Sequence, residues 1–167
     1  MSEQAAIDSL SFAANAQTMH GKILVADLLR LQSALHNSGG TLDYVISGIP
    51  SLVGKPGLHC AIRGGVQLTC QRCLTAMDFE LAIQSDLVLA YDEVELERYD
   101  EQHDEPIDAI LADDHLDVLA VIEEEVLLAL PMSPRHATAC PASDHLAPVN
   151  ESASKAFAKL AMLKTQK

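Results

Sequence analysis

The sequence predicts an α+β protein in which an antiparallel sheet or meander carries a cysteine knuckle and is packed by two or three helices. Three observations predict it. Period-two apolar alternation recurs between residues 42 and 91, a 3.6-residue apolar stripe follows over 117–130, and Cys70-Gln71-Arg72-Cys73 falls between two of the alternating runs. With 167 residues, 49% of them hydrophobic and 21% charged, the chain can bury a core of its own and lies outside the disordered class.

Leu28, Leu31 and Leu35 stand at helical spacing ahead of the turn formers Asn37, Ser38, Gly39 and Gly40, which predicts a helix at about 26–36. Short strands are then expected at 42–47, at 58–62 with a stop at Gly64-Gly65, and at 66–69. Met77, Phe79, Leu81 and Ile83 alternate with Asp78, Glu80, Ala82 and Gln84, and a further apolar run covers 87–91. Residues 92–106 carry eight acids and little to bury, so they read as a mobile solvated loop. Asp117 or Asp114 caps a helix over 117–130, with the stripe Leu119, Ile122, Val126 and Leu130 and a stop at Pro131. Last, Ser152 to Lys164 sets Ala156, Phe157, Leu160 and Leu163 against Lys155 and Lys159, a short basic amphipathic helix. The domain organisation is therefore a single α+β unit over 1–150 and a basic helix or tail over 151–167.

Charge is distributed unevenly. Residues 1–83 hold six acids and five bases, 84–125 hold sixteen acids and Arg98 alone, and 126–167 hold two acids and five bases. A formal charge of -13 excludes a wide basic surface for coating nucleic acid, so any RNA contact must be local. Three Phe and three Tyr, with no Trp, are too few for a row of base-stacking platforms. The first twenty residues lack a basic start followed by an apolar run, and no stretch reaches the length of a membrane span, which leads to the expectation of a cytoplasmic protein with reduced thiols.

The chemistry-bearing candidates are few. A two-residue gap lets the thiolates of Cys70 and Cys73 point at one tetrahedral centre, and His136 with Cys140 has a spacing that brings an imidazole and a thiolate to the same ion. Cys70, Cys73, His136 and Cys140 thus form a candidate zinc set; the alternative is a knuckle turn around two buried thiols. A redox role requires the CxxC to open a helix, whereas the pattern after it is strand. Cys60 reads as a small core residue, and His20, His36, His59, His103, His115 and His145 as ordinary surface or core histidines.

Asp113, Asp114 and Asp117 resemble magnesium ligands of a nuclease on paper, yet capping accounts for them more simply. Glu123, Glu124 and Glu125 are placed on the solvated side of their helix. There is no phosphate-cradling loop and no nucleophile with a base nearby in sequence, so an enzyme is not expected.

The string Leu68-Thr69-Cys70-Gln71-Arg72-Cys73-Leu74 resembles the YceD family, the large ribosomal RNA subunit accumulation proteins. The resemblance continues through 116–119, through Ile122-Glu123-Glu124-Glu125-Val126-Leu127-Leu128-Ala129-Leu130-Pro131, through Pro134-Arg135-His136 and Cys140, and through 157–164. A weaker similarity lies at His20-Gly21-Lys22-Ile23 with Leu28 and Leu31. One departure stands out: the family has Asn-Pro before the final Phe, and this chain has Lys155-Ala156. The resemblance implies a cytoplasmic, non-enzymatic factor acting in large-subunit rRNA maturation or accumulation, with no catalytic residue to carry over. It maps the family's cysteine pair onto Cys70 and Cys73 and its later histidine and cysteine onto His136 and Cys140. On this reading Arg72, Lys155, Lys159, Lys164 and Lys167 are candidate contacts to precursor rRNA, while the acidic face meets a basic ribosomal or processing protein. The competing expectation is a metal-dependent nuclease acting on precursor rRNA through Asp113 and Asp114.

Overall fold

The computed structural model describes residues 6–102, 108–137 and 140. The expected basic helix at 152–164, with Lys155, Lys159 and Lys164, lies outside the described residues, as do Lys167, His103 and His145.

An α+β architecture is observed. A five-stranded sheet in the order β2-β3-β4-β5-β6 comprises β2 (Thr18–Leu24), β3 (Thr41–Leu52), β4 (Lys55–Thr69), β5 (Ala76–Ala90) and β6 (Ala109–Leu111). All pairs are antiparallel except β5 with β6, which is parallel. A separate two-stranded ladder joins β1 (Ala6–Ile7) to β7 (Leu116–Asp117), and the helices are α1 (Ser9–Ala14), α2 (Glu93–Gln102) and α3 (Val118–Ala129).

The strands are longer than their local patterns predict. Gly64-Gly65 does not end a strand: β4 pairs with β5 without interruption from Gly57 opposite Val88 to Thr69 opposite Ala76. Glycine is needed at 64 because β3 crosses closely there, and a Cβ on Gly64 would lie 2.8 Å from the Thr41 carbonyl oxygen. The expected break before Leu87 is likewise absent, since Gln84, Ser85 and Asp86 pair with Ala61, Cys60 and His59. Two short strands therefore merge in each case. A second close approach seats α1: a Cβ on Gly48 of β3 would stand 2.7 Å from the Ala13 Cα.

Two expected elements change type. In place of a helix at 26–36 there are two 3-10 turns, Val25–Asp27 and Leu31–Ala34. Leu28 and Leu31 are buried as their spacing requires, but side chains take the backbone groups: the distant Glu123 carboxylate accepts from the Arg30 and Leu31 N–H groups, and the nearby Gln32 amide donates to the Val25 and Leu28 carbonyls. The 92–106 run is not a loop over its first part, where Glu93–Gln102 form α2. Asp92 caps it, accepting from the Glu95 N–H at 2.7 Å, and acids in a first helical turn are favoured by the helix dipole. Glu95 also pairs with Lys55 at 2.5 Å, tying α2 to the start of β4.

The helix α3 starts where expected, with Asp117 as N-cap accepting from Leu119 and Ala120, and Leu28, Leu58, Ile62, Leu89, Ile122 and Val126 fill the core. Its acidic triplet departs from expectation, because Glu123 and Glu125 are buried and only Glu124 faces water. The 3-10 turn packed beside α3 covers Glu123 and consumes its charge.

Candidate metal centre

The β4–β5 hairpin positions the knuckle. Its ladder closes at Thr69 opposite Ala76, leaving a six-residue connection that turns on itself: the Leu74 N–H donates to the Cys70 carbonyl at 2.8 Å and the Cys70 N–H to the Thr75 carbonyl at 3.0 Å. Leu74 sits at φ 60°, a left-handed conformation costly for a side chain of this size, and it turns the chain immediately after the second thiol. The segment after α3 comes back to this turn, docked by the Gln71 N–H on the Pro134 carbonyl at 2.8 Å.

Four of the sequence candidates meet here. One donor atom from each of Cys70, Cys73, His136 and Cys140 lies within 4.8 Å of all the others. The Cys70 and Cys140 sulfurs are 3.9 Å apart, and the Cys73 sulfur is 3.5 Å from His136 Nδ1. Around a tetrahedral zinc with ordinary bond lengths, two sulfurs stand ~3.8 Å apart and a sulfur and a nitrogen ~3.6 Å apart. The donor set and these two edges fit that ion. His136 Nε2 lies 3.3 Å from the Ala76 carbonyl oxygen, so a proton on Nε2 donates there and leaves Nδ1 facing the sulfurs, the tautomer a metal needs.

The local field suits thiolates unequally. Desolvation pushes the Cys70 thiol up, but backbone N–H groups of Arg72, His136 and Cys73 aimed at its sulfur outweigh this and bring it down to about 5. The Thr75 hydroxyl and N–H lower Cys73. Burial, with the neighbouring sulfurs, pushes Cys140 up to about 11, and the Cys70 sulfur raises His136. Anionic donors crowded in this way repel one another until a cation sits among them. Cys60 is different in kind: buried among β4 side chains, its thiol is pushed up to about 12. None of the four cysteines is in a disulfide.

A family model described as "Large ribosomal RNA subunit accumulation protein YceD" matches residues 58–164, well over half of the chain. The chain belongs to the YceD family. The match spans the knuckle, α3 and the histidine and cysteine that close the centre. No curated protein and no solved structure matches the chain.

Among the described residues the remaining candidates do not converge. Asp113 accepts from the His115 N–H and Asp117 caps α3, so two of the three proposed magnesium ligands are occupied by backbone. His36 pairs with Thr69 and His59 with Asp86, as ordinary sheet contacts. Arg72 is exposed on the knuckle. Sequence reasoning missed Thr75 and the Ala76 carbonyl, which support the ligands through contacts that no spacing announces. Among the described residues no helix is long and apolar enough to cross a membrane.

Proposed function

We propose that this YceD-family protein is a non-enzymatic cytoplasmic factor that supports the synthesis, processing or accumulation of large-subunit rRNA by docking. Cys70, Cys73, His136 and Cys140 hold a zinc ion that locks the hairpin end to the segment following α3. The acidic body and the lysines of 151–167 engage rRNA or a basic ribosomal or processing protein, with complementary charge setting encounter rate and partner choice. The single observation that supports this reading most is the convergence of four metal-type donors inside the region matched by the rRNA accumulation family.

The ion has a structural part here. A Cys3His set closes all four tetrahedral positions, leaving none for substrate or water, which is the pattern of metal sites that hold a fold together. Depletion of the protein from growing cells is expected to lower large-subunit rRNA relative to small-subunit rRNA. Affinity capture is expected to recover large-subunit precursors or a basic ribosomal protein, with recovery falling as salt rises. Unchanged rRNA ratios on depletion, or magnesium-dependent cleavage of precursor RNA by the clean protein, would refute it.

A further inference from the structure

We infer that the metal-centre end of the molecule is a docking site for single-stranded RNA, with Arg72 and Arg135 gripping backbone phosphates and Leu74 and Met132 meeting unstacked bases. This rests on the proposed role in large-subunit rRNA and names the contact surface and the partner within it.

The first support is where negative charge is absent. The chain carries 24 acids, yet the knuckle 68–77 and the segment 126–140 contain no Asp or Glu, and the acids next to them on the ladder, Asp78 and Glu80, stand opposite Gln67 and Gly65 away from the turn. A polyanion repelled by the body as a whole can approach here. The second is what the cations are doing. Lys22, Arg30 and Lys55 are engaged in ion pairs with Asp43, Glu124 and Glu95. Arg63 stands opposite Asp43 in register, and Arg98 lies in acidic α2. Arg72 and Arg135 are exposed and form no ion pair with any described residue. The Gln71 to Pro134 hydrogen bond joins the residues immediately preceding them and so brings their two segments together.

A zinc ion with three thiolates and a neutral imidazole carries one net negative charge, so two guanidinium groups leave a surplus after neutralising it. Guanidinium grips phosphate and carboxylate alike in a bidentate fork, and the closely spaced phosphates of a phosphodiester backbone can meet both arginines at once. Leu74 and Met132 are 70% and 104% exposed in the same two segments, apolar surface that lies open among the described residues. Bases hidden in a duplex cannot use them; bases of a single strand can.

The test uses the purified full chain with its bound metal and a labelled single-stranded RNA of about twelve nucleotides, titrated at several salt concentrations beside a duplex RNA of equal length. The single strand is expected to bind more tightly than the duplex. Arg72→Ala with Arg135→Ala is expected to weaken binding about tenfold and to flatten the salt slope by ~1.4, the value for two phosphate contacts on a single strand. Metal content should be unchanged, and the paired Lys variants should keep most of the slope. Unchanged affinity and slope in the double Ala variant overturns the inference, including where that variant instead loses a co-purifying ribosomal protein. Should the Ala variants release metal, photocrosslinking of RNA to the unaltered chain decides: crosslinked peptides from 70–75 or 131–137 support the site, and crosslinks confined elsewhere overturn it. Cells carrying the double variant keep the two failures apart. If RNA does not bind this end while depletion still lowers large-subunit rRNA, the contact surface is wrong and the role stands.

Discussion

Two places in this molecule bury groups that prefer charge, and they solve the problem in opposite ways. On α3 the Glu123 carboxylate accepts from the Arg30 and Leu31 N–H groups at 2.6 and 3.1 Å, so the chain satisfies it unaided. At the knuckle Cys70, Cys73, His136 and Cys140 place three sulfurs and an imidazole together, a group that could hold a metal ion. A buried polar group finished by its own backbone is architecture. A cluster whose members are all donors to a cation is a candidate binding site.

The contrast breaks most visibly on removing the ion. Chelation, or Cys73→Ser, is expected to reduce zinc from about one equivalent to below about a tenth and to cost on the order of several kcal/mol of stability, read by elemental analysis and denaturant unfolding. Full stability without metal would put the knuckle in the self-sufficient class beside Glu123. Next in size, Glu123→Ala leaves two buried donors unsatisfied and is expected to cost about 2–3 kcal/mol, while Glu124→Ala, losing an exposed pair with Arg30, costs about 0.5 kcal/mol. Equal costs for the two would mean that water replaces the buried carboxylate. Cys60→Ala sharpens the sulfur side: about 1 kcal/mol of packing is lost and zinc content stays the same, because burial, by holding that thiol up near about 12, marks it as core rather than ligand. In the chelated protein Cys60 should also be the last thiol to react with an alkylating reagent.

The smallest expected effect lies at the ion pair between α2 and β4. The hydrogen bond from Lys55 holds the Glu95 carboxyl below its usual value of 4.5. A group depressed in the folded state stabilises above the unfolded pKa, and that contribution disappears as pH falls through the folded one. Glu95→Gln should therefore lower the melting temperature slightly at neutral pH and not at all in strong acid. A difference that persists undiminished at low pH would show that packing, rather than charge, joins the two elements.

Much of this is legible in the sequence. Alternation marked the sheet, Asp117 and Pro131 bracketed α3, and a two-residue gap between cysteines announced the knuckle, because each signal is local and each has one geometric reading. The errors share a cause. Leu28, Leu31 and Leu35 have helical spacing, but Glu123, some ninety residues away in sequence, claims the backbone donors and leaves 3-10 turns. Gly64-Gly65 looks like punctuation until β3 is laid against it. The acidic run reads as loop until Asp92 and Lys55 supply a cap and a counterion.

By itself, the sequence determined which residues are candidate metal ligands, where the acids concentrate and which two stretches carry none, since these are properties of composition and spacing. Only the tertiary structure decided that His136 and Cys140 reach Cys70 and Cys73, that Glu123 faces inward, and that Arg72 and Arg135 share one end. Those depend on contacts between distant segments, and the energy of such a contact exists only once both partners have been brought into place.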